Sequence, residues 1–204
     1  MNQINDNQMR KCMENEENIN FKETIKENFK NSLDEKIKLK IWIRTLLYTH
    51  RLIPKIINIV DKIIYERASS YSFSSNIFNS TKRLENQIDL VIDMSDRKQK
   101  LLNIYVMTKK LFEFLPDEYL NVATKKFYEN MSNDEIAEEL NISVRTVFRK
   151  VNDLIEYIYR CITRNNWSLR FVEIQVKGED WLIERYNKYL NEYIRDSVKS
   201  KNMK

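Results

Sequence analysis

The 204-residue sequence has few of the residues that interrupt regular structure: one glycine, Gly178, and two prolines, Pro54 and Pro116. Sheets and tight turns usually need more of both, because glycine supplies positive φ and proline pre-sets the turn. Hydrophobic residues make up 42% of the chain and aromatic residues 11%, which is enough to fill a core. The composition therefore predicts an all-α fold of long helices joined by short polar connections.

Metal ligands and redox pairs are also scarce. Cys12 and Cys161 are far apart, and His50 is the only histidine. This inventory predicts no metal site, no cofactor and no disulfide framework, and it fits a reducing cytoplasm. No apolar run approaches the ~20 residues of a membrane span, and residues 1–20 lack a signal peptide's apolar region. We expect a cytoplasmic protein with no membrane partner.

Groups for catalysis are missing as well. The sequence has no glycine-rich phosphate loop and no carboxylates grouped within an apolar run. The acidic pairs Asp134/Glu135 and Glu138/Glu139 are best interpreted as solvated helix surface. A positioned acid, base, nucleophile or metal is the minimum for an active site, so we expect no catalytic residue and no enzyme activity.

The chain divides into four predicted segments. Residues 1–32 form a flexible arm, and residues 33–114 form a helical domain with a Ser-rich connection at 69–81. Residues 115–164 form a three-helix segment, and residues 165–204 form a C-terminal helical extension with a basic tail.

Hydrophobic spacing refines this division. Pro54 begins a helix because its missing N–H is no loss in a first turn. Residues 84–112 are helical with a break expected near Ser95–Asp96, whereas the alternation over residues 167–176 predicts a short extended piece. The core positions expected in the first of these stretches are Leu84, Ile88, Val91, Leu101, Leu102, Tyr105 and Phe112.

The net positive charge of the chain is small, but the basic residues are clustered. The formal net charge is only +5, but Lys36–Lys55 holds six basic residues and no acidic one, and Ser143–Arg170 holds six basic and two acidic residues. Clustered positive charge is typical of a partner with a phosphate backbone. For the first cluster, a solvated helix face is an equally good interpretation.

Capping signals divide residues 115–164 into three helices. Pro116, followed by two acidic residues, suits the first helix start. Ser132 and Glu135 form an S-x-x-E capping box before the second helix, and Ser143 is an N-cap for the third. Only a short turn separates the last two helices, and Asn141 can adopt positive φ there in place of glycine.

These helices carry the apolar spacing of a DNA-binding helix-turn-helix. Small Ala137 suits the close crossing of two helices, and the remaining inward residues lie on either side of the turn. The predicted internal set is Ile136, Ala137, Leu140, Ile142, Val147 and Val151.

The outward residues of the third helix predict contacts to DNA. Arginine can bind guanine with two hydrogen bonds, asparagine can bind adenine, and apolar groups can pack on thymine methyls. Ser143 and Thr146 suit phosphate contact at the helix start, and Lys150 with Lys125 or Lys126 would neutralise the backbone. The candidate DNA-binding residues are Ser143, Val144, Arg145, Thr146, Phe148, Arg149, Lys150 and Asn152. A helical bundle with ordinary surface charges is the disfavoured alternative.

The stretches LP, EIAEEL, NIS and RTVFRKV within residues 115–151 resemble region four of sigma-70-like factors. The resemblance implies a small helical domain that reads promoter DNA and contacts RNA polymerase, with Arg145, Thr146, Phe148 and Arg149 toward the promoter. Phe148 departs from the family, which more often has a basic or polar residue there. The layout is similar to sigma-like helix-turn-helix regulators of low-GC bacteria and their mobile elements. Despite Trp42, the promoter-melting pattern of region two is absent from residues 36–67.

These observations predict a sequence-specific, sigma-factor-like transcription regulator that binds double-stranded DNA and RNA polymerase. The alternative is a DNA-site-marking accessory protein of a phage or mobile element, acting in packaging or recombination. A C-terminal stripe is interpreted first as core packing and second as a homodimer surface, which would favour the accessory protein. The stripe consists of Trp181, Leu182, Tyr186, Tyr189, Leu190 and Tyr193.

Overall fold

The structure, a computed structural model, describes residues 34–70 and 81–202. Both ranges are helical without any strand, which confirms the all-α prediction for the described residues. The expected arm at 1–32 and most of the Ser-rich connection at 69–81 lie outside them. The α-helices are α1 (Glu35–Thr49), α2 (Ile53–Ser70), α3 (Thr81–Glu113), α4 (Asp117–Ala123), α5 (Asn133–Glu139), α6 (Val144–Arg164), α7 (Leu169–Val176) and α8 (Asp180–Asn202).

Helix α1 is the centre of the fold. Eight of its residues are buried. They occupy most of the helix circumference, and the remaining side carries Lys36, Lys40 and Arg44. It contacts α3, α6, α7 and α8. Trp42, only 4% exposed, stacks on Tyr186 of α8 with ring centroids 4.2 Å apart. This aromatic residue is therefore part of the core.

Helices α2 and α3 form an antiparallel pair joined through residues that the structure does not describe. Pro54 lies in the first turn of α2, as predicted. The expected break near Ser95 was wrong, because α3 is continuous from Thr81 to Glu113. The Ser95 hydroxyl donates to the carbonyl of Val91 at 2.8 Å, so this polar side chain is accommodated by its own helix.

The core positions expected along α3 were correct only in its second half. Leu101 and Phe112 are buried, whereas Ile88 is 47% exposed. The spacing of apolar residues predicted the helix, but how much of it is buried depends on how far the neighbouring helices extend. The first half of α3 extends beyond the core.

The extended piece predicted over residues 167–176 was wrong. Leu169–Val176 is helix α7, whose N-cap Ser168 accepts a hydrogen bond from the backbone N–H of Phe171 at 3.2 Å. Val172 and Val176 are its buried residues, and their four-residue spacing places them on one helix face. The alternation of apolar residues came from a short helix that is apolar on more than one side.

The C-terminal helix α8 packs mainly on α1. Leu182, Tyr186 and Leu190 are buried, and Tyr193 is exposed. Most of the stripe thus packs inside the protein, as the first interpretation held. None of the helices within 34–70 and 81–202 has both the length and the apolar character needed to cross a membrane.

Candidate nucleic-acid interface

Helix α5 begins with the predicted capping box. The backbone N–H of Ser132 donates to Oε2 of Glu135 at 2.6 Å, and the backbone N–H of Glu135 donates to the Ser132 hydroxyl at 3.2 Å. The hydrogen bond from the Ser132 backbone holds the pKa of Glu135 below its usual value. Two helix-end donors are thereby satisfied, and α5 begins at a defined residue.

The turn after α5 is a Schellman motif with asparagine in the glycine position. Asn141 has φ +50°, which confirms the prediction of positive φ. Its N–H donates to the carbonyl of Glu138 at 3.2 Å, and the N–H of Ile142 donates to the carbonyl of Ala137 at 2.9 Å. These two bonds close the end of α5, so the angle between α5 and α6 is set by backbone geometry.

The start of α6 is capped by Ser143, as predicted. The Ser143 hydroxyl accepts from the backbone N–H of Thr146 at 3.1 Å and lies 2.8 Å from the Thr146 hydroxyl. Both hydroxyls proposed to contact phosphate therefore already bond to each other. The N–H groups of the first turn are the remaining helix-end donors, and they are the groups best placed to receive a phosphate oxygen.

The inward face of the motif has the predicted composition. Ile136 and Val147 are fully buried, Ala137 and Val151 are buried, and Leu140 and Ile142 are half-buried against the core. Ala137 places no long side chain between α5 and the following helix, so the two helices can approach closely. The interior residues of the motif were thus identified correctly from spacing.

The outward face of α6 carries the candidate base-reading residues. Arg145, Arg149 and Asn152 are exposed, and Phe148 is 55% exposed. Spacings of three, four and seven residues place all four on one side of the helix. Neither arginine bonds to another described residue. Both guanidinium groups are therefore available to an external partner.

Val144 and the lysines predicted to contact DNA have surroundings that the sequence did not predict. Val144 is half-buried and packs against the core instead of pointing outward. Lys125 pairs with Glu139, which raises its pKa through a side-chain hydrogen bond. Lys126 donates to the carbonyl of Met131 at 3.2 Å, and burial lowers its pKa. Lys150 is half-exposed and is the lysine better placed for a phosphate contact.

The first basic cluster contacts α6 at a partly exposed edge of α1. Lys36 and Lys40 of α1 both pair with Glu156 of α6. The hydrogen bond from Lys40 holds the pKa of Glu156 below its usual value. Arg44 lies 4.9 Å from the ring centroid of Tyr189. Arg51 also donates to the carbonyl of Tyr128 at 3.5 Å, so four of the six basic residues in Lys36–Lys55 contact other parts of the described chain.

One element of the site was not predicted from the sequence. Directly after α4, residues Thr124–Tyr128 form a π-helical turn. It buries Phe127, and Asn130 follows it with φ +62°. The signal available in the sequence was Asn130 itself, which takes the conformation of a glycine as Asn141 does.

The contacts of α6 show that the motif is part of the common core. Its second half buries Ile155, Ile158 and Ile162, and α6 packs on α1 as well as on α4 and α5. The outward face of α6 is therefore held in place by three neighbouring helices of the described chain.

Comparison with known proteins gives one informative result. No curated protein and no solved structure matches the chain. Among family models, the match is to the one described as ECF sigma factor, and it covers residues 79–158. This range contains α3, α4, α5 and most of α6. Over residues 79–158 the chain is similar to ECF sigma factors.

Proposed function

We propose that this protein is a sequence-specific DNA-binding regulator that reads promoter DNA with α6 and acts with RNA polymerase. The observation that carries the proposal is the outward face of α6, where Arg145, Phe148, Arg149 and Asn152 are exposed. Backbone hydrogen bonds in the turn between α5 and α6 fix the position of this helix. The family match over residues 79–158 supports the same function. Double-stranded DNA is thus the proposed ligand.

The chemistry of this face defines what it can read. Two arginines one turn apart favour guanines, Asn152 favours adenine, and Phe148 packs on thymine methyls. Ser143, Thr146 and Lys150 contact the phosphates at the edges of this face. Val144 packs against the core and does not itself reach a base.

The experiment is selection of binding sites from a random duplex library with the purified full-length protein, followed by affinity measurements on the selected site. Arg145→Ala with Arg149→Ala should weaken specific binding by roughly 2–6 kcal/mol, about 1–3 kcal/mol for each bidentate contact. Non-specific binding should change less. Binding of the selected duplex at wild-type affinity would refute the assignment of α6.

A matched control removes the same charge elsewhere. Arg185 and Arg195 are exposed on α8, and their replacement by alanine changes the net charge equally. This variant should keep its preference for the selected duplex. An equal loss in both variants would mean that net charge, rather than the face of α6, causes the binding.

The accessory-protein alternative depends on multimerisation through α8. Because Leu182, Tyr186 and Leu190 are used against α1, little of the stripe is left for a second copy, and this favours the regulator. Light scattering of the purified protein tests the homodimer directly. A stable dimer that is disrupted by Tyr193→Ser would instead favour the accessory protein.

A further inference from the structure

Phe148 is the only exposed apolar side chain within residues 144–152 of α6. The other apolar residues of this stretch are Val144, Val147 and Val151, and each of them is buried or packs against the core. Phe148 is 55% exposed, more than any other phenylalanine in the described part of the chain. Its ring contacts no other aromatic ring and no cation among the described residues. The phenyl ring is therefore available to an external partner.

The neighbours of Phe148 on the outward face of α6 are polar. Arg145 precedes it by three residues and Asn152 follows it by four, so both lie beside it on the helix surface. Both are exposed. A single apolar residue on a protein surface is ordinary, but this one lies between two side chains that can hydrogen-bond to bases. A duplex bound by Arg145 and Asn152 therefore also meets the phenyl ring.

The chemistry of a phenyl ring limits what it can recognise in the major groove. The ring cannot form the hydrogen bonds by which donors and acceptors on the base edges are read. The apolar group that a base pair presents in this groove is the methyl group on C5 of thymine. 5-Methylcytosine carries a methyl group on the same carbon of its ring, whereas cytosine and uracil carry a hydrogen. The feature that Phe148 can recognise is thus the C5 methyl group of either pyrimidine.

Arg145 places a guanine beside this methyl group. Three residues along a helix span ~4.5 Å, and successive base pairs are ~3.4 Å apart, so Arg145 and Phe148 reach neighbouring base pairs. We propose that Phe148 recognises a C5 methyl group next to an arginine-bound guanine, so that 5-methylcytosine can replace thymine there and methylation of cytosine strengthens binding. This inference rests on the proposed function and adds a chemical group that regulates binding at the same site.

The expected size of the effect follows from the burial of one methyl group. Burying one such group contributes ~0.8 kcal/mol, which corresponds to about a fourfold change in affinity. Loss of a bidentate contact between arginine and guanine weakens binding more, by roughly tenfold. Methylation at C5 therefore adjusts the affinity of a site that the arginines already recognise.

The test uses the full-length protein and the duplex that it selects from a random library. Each thymine of this duplex is replaced in turn by deoxyuridine, which removes only the C5 methyl group, and Kd is measured by fluorescence anisotropy. At one thymine the replacement should weaken binding about fourfold. With a cytosine–guanine pair at that position, 5-methylation of the cytosine should strengthen binding by about the same factor.

Variants assign the methyl effect to Phe148. In Phe148→Ala both differences in affinity should disappear, whereas Phe148→Leu, which keeps a large apolar side chain, should retain most of each. Phe171→Ala is the matched control, because it removes an exposed phenyl ring from α7 and should keep both differences. Since Phe148 is exposed, its replacement should leave the urea midpoint nearly unchanged, and circular dichroism checks that each variant is folded.

Three results would overturn the inference. The first is a selected duplex in which no thymine methyl affects binding, and the second is 5-methylcytosine that binds no better than cytosine at the sensitive position. The third is an equal methyl effect in Phe148→Ala, which would assign it to DNA shape or to another side chain. In each case DNA reading by α6 stands if Arg145→Ala with Arg149→Ala still weakens specific binding. A protein that selects no duplex would refute the proposed function and this inference together.

Discussion

The ion pair between Arg97 and Glu179 predicts that substitutions of its two partners lower the free energy of unfolding by different amounts. Glu179, 1% exposed, lies between α7 and α8 and accepts from Nε and Nη2 of Arg97 on α3, both at 3.0 Å. Nε1 of Trp181 also donates to it, at 2.9 Å. The hydrogen bond between Arg97 and Glu179 raises the pKa of Arg97. A single buried carboxylate thus connects the C-terminal helices to α3.

The two partners differ in exposure, and that difference predicts unequal costs. Arg97→Met leaves the buried carboxylate of Glu179 without its cation, which should cost about 3–5 kcal/mol. Glu179→Gln leaves Arg97, whose side chain is 38% exposed, free to be solvated by water. The cost of this second change should therefore be smaller, about 1–3 kcal/mol.

The measurement is urea unfolding at neutral pH, with thermal unfolding in parallel. A loss of about 4 kcal/mol should lower the Tm by about 10 °C for a protein of this size. Lys98→Met is the control, because its partner Asp61 is 45% exposed and such a pair contributes at most about 1 kcal/mol. The reasoning is refuted if Glu179→Gln costs as much as Arg97→Met, or if Lys98→Met matches either.

Three further predictions concern the core and the motif. Burial lowers the pKa of His50, whose Nδ1 lies 2.8 Å from the Thr108 hydroxyl. The unfolded chain therefore takes up this proton first, so unfolding free energy should fall as pH drops below about 6.5, and less so in His50→Gln. Asn141→Val should cost about 1–2 kcal/mol because its φ is +50°, whereas Asn141→Gly should be tolerated; urea midpoints decide between them. Ile158→Ala, at a fully buried position on α6, should cost about 2–5 kcal/mol by the same assay, and a value below 1 kcal/mol would contradict its place in the core.

The parts of the fold that were predicted correctly depend on residues close together in the chain. The capping box at Ser132, the cap at Ser143 and the positive φ of Asn141 each involve bonds within about five residues. Such interactions form whenever the local sequence allows them. The helix-turn-helix and its interior face could therefore be predicted from residues 115–151 alone.

The parts that were missed depend on distant residues. The exposure of Ile88 follows from where the neighbours of α3 end, and the pairing of Lys40 with Glu156 joins positions more than 100 residues apart. The helix at Leu169–Val176 is stabilised by packing against α1 and α3, which outweighs a weak local pattern. The surroundings of a surface side chain cannot be obtained from helical spacing.

The sequence by itself determined that the described chain is helical, where its helix-turn-helix begins and turns, and, except for Val144, which residues of α6 face outward. The tertiary structure decided which charged side chains remain available to an external partner. It places Lys36, Lys40 and Lys125 beside carboxylates and leaves Arg145 and Arg149 free of partners among the described residues. The physical reason is that hydrogen bonds and caps act over one helical turn, whereas pairing and burial depend on which helices meet.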